Sequence, residues 1–433
     1  MRVILAVCSI DDIFKLHPFA AFSIHEARPP LGLGSLAASL AAAGHEVKVL
    51  DQAIAPTSAA EFARQIYALS PAVVGFSCTS LNVSTTRACI TEVKQRMNAI
   101  WTVVGGIHAS LCPEDCLRET GANAVIAGEA EDVLCSVVDE IGHQGRLSSA
   151  FPGVWLSGQR PLEPEVVLTH LTQPYPARDA LQISRYSNHG SLVAGTPCLA
   201  LFQSRGCPYL CAFCSKPGYH KTYRTRPIDK TMAEIEHLVV THGAASLCFR
   251  EDNLTANREH LLLLCEAIRT RYGDDLAWEC ESRADLPERF LEKMRAAGCR
   301  GVWCGVETVV PRWQAWLNKL VNTKAIRRFY HACHALGIRT GALFLFGFPD
   351  QTEDERSVDV DFAMALPVVW RYFQCLAIFP GSRLTQHYLK NRRRLLPLTT
   401  HVAIALTAGH GESDMLGLER SLNERIRVIE PAT

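Results

Sequence analysis

The sequence predicts an α/β protein built of two successive domains. The first is a Rossmann-like, doubly wound parallel sheet; the second is a partial (β/α)6 barrel followed by a short C-terminal extension. Three observations predict this. Apolar runs alternate with helical patterns over residues 1–144, the alternation breaks over 145–195, and it resumes over 196–385. A chain of 433 residues is long enough for two or three compact units of roughly 100–200 residues each. With 48% hydrophobic and 20% charged residues it has apolar material to fill their cores. Residues 386–433 are too few for a further domain.

In the first domain VILAVC (3–8), VKVLD (47–51), AVVGFSC (72–78), WTVVGG (101–106) and ANAVIAG (122–128) read as strands. Continuous Val- and Ile-rich runs suit a parallel sheet covered on both faces. LGSLAASLAAAG, EFARQIYALS, TRACITEVKQRM and PEDCLRETG lie between them with apolar residues at helical spacing. Residues 145–195 carry FPG, RPLEPE, TQPYPARD and NHG, the composition of a long connection. From Cys198 onward six strands follow: CLALFQS, SLCFRE, LAWECES, RGVWCGVE, IRTGALFLFG and WRYFQCLAIFPG, with helical segments between them. Six strand and helix pairs fall short of the eight that close a full barrel, so an open, partial barrel is expected.

Forty-four Lys plus Arg balance forty-four Asp plus Glu, so no overall field draws the chain to nucleic acid or anionic lipid. The basic run Lys390 to Arg394 has no aromatic neighbours to suggest nucleic-acid binding. No apolar run approaches the roughly 18 residues needed to span a bilayer. The N-terminal MRVILAVCSIDD reads as a first strand and not as a signal peptide. A cytoplasmic monomer that meets its substrate in a pocket is the expectation. The 17 cysteines are odd in number and scattered, and a chain of this length needs no disulfide staples; some should bind metal.

Cys207, Cys211 and Cys214 form a CxxxCxxC in the loop after the first barrel strand. Three thiolates so close can wrap one soft metal centre, zinc or an iron–sulfur cluster. A closed structural zinc site with His220 as fourth ligand is one reading. The other is a four-iron cube that leaves one iron without a protein ligand. The position of the loop favours the cube, because barrel enzymes place their chemistry at the carboxyl ends of strands.

This loop, with Phe213 before the last cysteine, resembles the CxxxCxΦC hallmark of the radical S-adenosylmethionine (SAM) enzymes. The family's partial barrel is similar to the six pairs above. The resemblance implies a [4Fe-4S] cluster on Cys207, Cys211 and Cys214, and SAM chelated to the open iron. It also implies an external electron donor such as flavodoxin or ferredoxin, and cleavage of SAM to methionine and a 5′-deoxyadenosyl radical. Glu281, Ser282 and Arg283 end the third strand, where the family binds SAM and a guanidinium can pair with a carboxylate. Glu307, in GVET, is placed for the ribose or ammonium. Gly347-Phe348-Pro349 resembles the family's Gly-x-Pro-Gly turn near adenine, but Asp350 stands where the second glycine would be. Taken singly, each of these also reads as a strand-end salt bridge or a turn. Of the adjacent pair Trp303 and Cys304, one must point into the barrel, and Asp252 and Asn253 are polar candidates for substrate contact.

The first domain resembles the cobalamin-binding domains that precede some radical SAM barrels. The resemblance is carried by Arg28 to Gly34 entering the first helix, by Gly105-Gly106-Ile107-His108 and by Gly128-Glu129-Ala130-Glu131. Paired glycines at strand ends let a bulky ligand approach the backbone. Ser77, Thr79 and Ser80 would then bond the cofactor's tail; without a cofactor they are turn residues. No Asp begins a D-x-H-x-x-G, so no cobalt-ligating His is identified, and His108 reads as a hydrogen-bonding group.

The resemblance implies a cobalamin-dependent methyltransferase acting on an unactivated carbon of a small-molecule or peptide natural product, with methylcobalamin as donor. Cyclisation, ring contraction or oxidation with the same cofactors is an alternative, and a non-catalytic cobalamin or zinc carrier is another.

Overall fold

The computed structural model describes residues 1–11, 28–148, 150–161, 163, 165–186, 192–385, 395–397 and 403–405. The basic run 390–394 lies outside them. The chain divides into two compact units, Met1–Ser187 with Lys216–Tyr219, and Asn188–Ser215 with His220–Thr433.

The first unit runs β1 (Arg2–Val7), α1 (Leu31–Ala42), β2 (Glu46–Asp51), α2 (Ala59–Leu69), β3 (Val73–Ser77), α3 (Val83–Arg96), β4 (Trp101–Gly105), α4 (Ile107–Leu111), α5 (Pro113–Thr120), β5 (Ala124–Ile126), α6 (Glu131–Gln144) and β6 (Val154–Leu156). Its sheet has the order β2-β1-β3-β4-β5-β6, parallel except for the β5–β6 pair. The strand order reverses between β1 and β3, and ligands of such sheets settle beyond the carboxyl ends at that point. Ile4, Ala6, Val74, Phe76 and Val104 pack against Phe62, Ile66, Ile90 and Val93 of the covering helices. Cys8, Cys78, Cys89 and Cys116 join this core as small apolar residues.

The five expected strands are present, but β6 corrects the reading of 145–195 as a plain connection. Residues 153–168 of that stretch run along the edge of β5. Ala127 N donates to Gly153 O at 2.9 Å, Val166 N to Ala127 O at 2.9 Å, and Glu129 N to Val166 O at 3.0 Å. Further on, the Tyr186 hydroxyl donates to Asp51 at 2.6 Å. A three-residue strand is too short to show a periodicity, so nothing in the prolines and glycines around it announced a sheet edge.

The second unit runs β7 (Cys198–Leu201), β8 (Ser204–Arg205), β9 (Arg224–Thr225), α7 (Ile228–Val240), β10 (Ser246–Phe249), α8 (Arg258–Tyr272), β11 (Ala277–Ser282), α9 (Glu288–Ala296), β12 (Cys299–Glu307), α10 (Pro311–Trp316), α11 (Thr323–Ala335), β13 (Arg339–Phe346), α12 (Glu353–Met364), β14 (Trp370–Cys375) and β15 (Ala377–Ile378). Two short strands, β16 (Leu395–Pro397) and β17 (Ala403–Ala405), form a small antiparallel sheet with β15. The main sheet is parallel, in the order β7-β10-β11-β12-β13-β14, with helices crossing between successive strands. This is the open six-stranded barrel that the sequence predicts.

Strand alternation sorts its residues into two faces. Trp278 faces the helices, meeting Phe249 edge to face at 5.4 Å and donating its indole N–H to Ala297 O at 2.7 Å. Glu279 faces inward, fully buried, and accepts from Leu192 N at 2.7 Å. Val193, Cys198 and Cys248 pack together near that level. Glu281, Trp303 and Gly341 share one register across β11, β12 and β13. The indole lies so close over Gly341 that a Cβ there would sit 2.7 Å from Trp303 Cδ2. Trp303 is therefore the inward-pointing member of the 303–304 pair. Cys304 is buried on the opposite face, where burial raises its thiol pKa.

Candidate active site

The cysteine loop is held in place by neighbouring backbone. Cys207 N donates to His220 O at 2.8 Å, Ala212 N to Leu317 O at 2.7 Å and Leu384 N to Ala212 O at 3.2 Å. Asn318 Nδ2 reaches Leu210 O at 2.8 Å, and the Ser215 hydroxyl donates to Pro380 O. Gly206 opens the loop at φ +84, and a side chain there would strike His220 O at 2.8 Å. Ala212 and Phe213 sit on an apolar cluster of Trp313, Leu317, Phe348 and Ile378. Phe213 thus anchors the loop from beneath.

None of the 17 cysteines is in a disulfide. Cys207 is buried, and Cys211 and Cys214 are half-buried. Among the described residues no three His, Cys, Asp or Glu side chains converge as ligands of a single metal ion. A cube of four irons takes each thiolate at a different corner, so it needs its ligands further apart than one ion does. Three thiols on one pre-positioned loop are a donor set that fits such a cube. His220, the fourth ligand of the zinc reading, has its ring 3.4 Å from the Asp252 carboxylate.

Beside the loop lies a buried polar group that the strand ends bring together. Glu307 ends β12 in the left-handed region, at φ +68. Its carboxylate is 3.1 Å from the Lys319 ammonium, and both are buried. Burial pulls the Lys319 pKa down, but the charges of Glu307 and Cys211 outweigh it, so the net shift is upward and the ammonium is retained. Arg283 donates to Lys319 O at 2.7 Å and stacks its guanidinium 4.1 Å from the Tyr209 ring. Lys319 thus stands between the cysteine loop and the ends of β11 and β12. Its place, twelve residues beyond Glu307, left no motif to find it by.

The Glu307 turn is held from behind. Asp359 on α12 accepts the Thr308 hydroxyl at 2.8 Å and Val309 N at 2.6 Å. Burial pushes the Asp359 carboxyl up to about 7, against those two bonds. Gln314 completes the support by donating to Thr308 O.

Other predicted positions fall on either side of this group. Glu281 faces inward with Arg250 at 3.8 Å. Ser282 turns away to Thr255, 2.8 Å between hydroxyls, and donates to Arg283 O at 3.1 Å. At the end of β13 Gly347 takes φ +85, and its N–H donates to Gln351 Oε1 at 2.8 Å. Pro349 is half-buried in that turn, and Asp350, in place of the second glycine, takes φ +57, which Asp tolerates better than most residues. Gln351 Nε2 is buried with no hydrogen-bond partner among the described residues.

Sequence reasoning missed Glu251, which follows β10. It is 3% exposed, and one carboxylate oxygen accepts from Gln203 N and, at 3.2 Å, from Ser204 N. The other oxygen has no hydrogen-bond partner among the described residues. Burial raises this carboxyl to about 8, the backbone donors oppose the shift, and the Glu281 charge adds to it. Glu251 fixes the backbone that leads into the cysteine loop.

In the first unit the structure places Ser77, Thr79, Ser80 and His108 around the ends of β3 and β4. Thr79 N and Oγ1 both bond Asn82 Oδ1, at 2.7 and 3.2 Å, and the Ser80 hydroxyl is 2.9 Å from His108 Nδ1. His108 is a fully buried residue of α4 and not a loop residue. Ser77 ends β3, and its Oγ would lie 3.3 Å from a Cβ at Gly106. Gly106 (φ +99) is required by the fold, since its Cβ would meet Cys78 O at 2.7 Å. Gly128 is required too, against the Val166 backbone, and Glu129 accepts from Leu168 N at 2.8 Å. Gly105 differs. Among the described residues a Cβ there would meet only Ile126 O, at an ordinary 3.6 Å, so the fold itself does not require glycine at this strand end.

Residues 20–138 match the B12 binding domain family, and residues 202–363 match the Radical SAM superfamily. Over 370 residues the chain is 26% identical to an uncharacterized methyltransferase of Pyrococcus horikoshii, covering 84% of this chain and 79% of that one. Over 339 residues it is 27% identical to an anaerobic magnesium-protoporphyrin IX monomethyl ester cyclase of Rubrivivax gelatinosus, covering 75% and 60%. Among solved structures, the radical SAM methyltransferase TsrM of Kitasatospora setae, with tryptophan and a SAM analog bound, superposes with a TM-score of 0.74. The identity there is 21%, over 97% of this chain and 82% of that one, so the likeness is one of fold. No described helix is long and apolar enough to cross a membrane.

Proposed function

Because the chain is a radical SAM enzyme with a B12-binding domain ahead of its radical SAM domain, we propose that it is a methyltransferase, moving a methyl group from methylcobalamin to an unactivated carbon of a small-molecule or peptide substrate. Its cofactors are a [4Fe-4S] cluster, SAM and cobalamin. Together these supply one-electron cleavage of SAM and a transferable methyl group. The remaining work belongs to the protein's own residues. Cys207, Cys211 and Cys214 would hold three corners of the cube and leave the fourth to SAM.

Around it, Arg283 and Lys319 offer two cations fixed beside the loop, suited to the SAM carboxylate, and Glu307 an acceptor for its ammonium or ribose. The buried Gln351 amide N–H, lacking a partner among the described residues, suits a ring nitrogen of adenine. Gly105 gives cobalamin an approach to the backbone at the end of β4.

The observation that supports the reading is the cysteine loop, tied by backbone bonds to His220, Leu317 and Leu384. Anaerobic purification and reconstitution should yield four irons and four sulfides per chain in the cube, together with bound cobalamin and formation of 5′-deoxyadenosine from SAM. Replacing any of the three cysteines by Ala should abolish the last. A protein that leaves SAM intact under reducing conditions refutes the proposal. Similarity to a cyclase supports a second reading, cyclisation or oxidation without methyl transfer. Product mass separates the two: a gained methyl unit supports the first, and loss of hydrogen alone the second.

A further inference from the structure

The neutral net charge of the chain conceals a strongly uneven distribution. From Thr308 to Pro349 the sequence contains Arg312, Lys319, Lys324, Arg327, Arg328 and Arg339 but not one Asp or Glu. Two of these cations are paired, the buried Lys319 with Glu307 and the exposed Arg312 with Glu355. Lys324 and Arg328 are exposed on α11, and among the described residues neither has a carboxylate in ion-pair range. The first turn of α11 has no acidic residue, so Lys324 also stands against the helix dipole.

Just before α11 in the chain, and on the cysteine loop bonded to that segment, leucines are exposed. Leu320 is 69% exposed and Leu210 is 55% exposed. Leu210 lies between Cys207 and Cys211, and residues 317 and 318 are bonded directly to this loop through Ala212 N and Leu210 O. Leu320 is held at φ +50. A branched apolar side chain kept both in water and in the left-handed region is disfavoured twice. Exposed leucines together with exposed cations on one stretch of chain match a transient protein interface, where charge steers the encounter and apolar contact seats it.

We propose that Leu210, Leu320, Lys324 and Arg328 form the docking surface for a small acidic electron-carrier protein. The inference rests on the reading that the three cysteines hold an iron–sulfur cluster. One electron leaves the reduced flavin or iron–sulfur centre of the carrier, which is oxidised by one equivalent, and enters the cluster, which is reduced by one; no proton or group crosses. A carrier seated on Leu210 contacts the cysteine loop itself, which gives the electron a short route.

The test uses reconstituted holoenzyme and two reductants, a reduced flavodoxin and dithionite, with the initial rate of 5′-deoxyadenosine formation as readout. The double variant Lys324→Glu, Arg328→Glu should lower the flavodoxin-driven rate by about tenfold at low salt, a typical loss of electrostatic steering. Added salt should slow the parent with flavodoxin and leave the variant little changed. Dithionite-driven rates should be equal in the two proteins. Leu320→Asn, which keeps a residue tolerant of the left-handed region, should also weaken only the flavodoxin reaction. Arg339→Glu, at the start of β13, is the charge control and should change neither. Unchanged flavodoxin rates in the double variant overturn the proposal. An equal loss with both reductants also overturns it, and would mark the patch as part of substrate binding or of the fold. If the parent cleaves no SAM even with dithionite, the iron–sulfur reading fails, and the docking proposal with it.

Discussion

Replacing Glu251 by Gln gives the sharpest test of the electrostatics behind the cysteine loop. The carboxyl has an ordinary value of 4.5 and is held at about 8 in the fold by burial. Between these values the unfolded chain has released the proton while the folded chain keeps it. The contribution to stability is therefore fully present below about pH 4.5, falls by about 1.4 kcal/mol per pH unit, and is lost above about pH 8. Gln carries no charge at any pH and still offers a carbonyl oxygen to the N–H groups of Gln203 and Ser204. From pH 5.5 to 7.5 the wild type should therefore lose roughly 2 to 3 kcal/mol relative to the variant. For a unit of this size that is about 5 to 10 °C in melting temperature. Thermal melts of the reduced apoprotein across that range, by circular dichroism, measure it. Parallel pH curves for the two proteins would refute the argument, because they would mean that Glu251 is ionised in the fold and that its second oxygen has found a partner.

Two other substitutions address the cofactor pockets. Lys319→Met strands the Glu307 carboxylate in a buried site; it should destabilise the barrel by about 3 to 5 kcal/mol and raise the KM for SAM, as thermal melts and SAM titration would show, while Lys319→Arg recovers part of both. Gly106→Ala forces a Cβ against Cys78 O and should cost the first unit about 1 to 3 kcal/mol. Gly105→Ala meets no such obstacle, so a melting temperature close to wild type with reduced cobalamin content would identify the end of β4 as a ligand surface.

Much of this architecture could be read from local pattern. Strands such as VILAV and ALFLF are continuous apolar runs, and the spacing of Cys207, Cys211 and Cys214 is fixed along one short loop. Neither needs a distant residue to be recognised. What escaped detection depends on chain folding back on itself. Lys319, Asp359 and Glu251 become significant only when β12, α12 and β10 bring them to the same strand ends. In sequence each is one charged residue among many. Ser282 shows the converse: it adjoins Glu281 and Arg283 in the chain, but the alternation of β11 turns it to Thr255. Asp350 shows how a missing motif residue can be harmless, since it adopts the backbone that glycine would have supplied.

The contact between Trp303 and Gly341 makes change at the barrel interior a one-way matter. A smaller residue at 303 simply frees space, and no backbone has to move. Any side chain at 341 would collide with a rigid indole that β13 already supports. Descendants of this sequence that come to accept a bulkier molecule would therefore first alter position 303, and only afterwards would the glycine be released to vary.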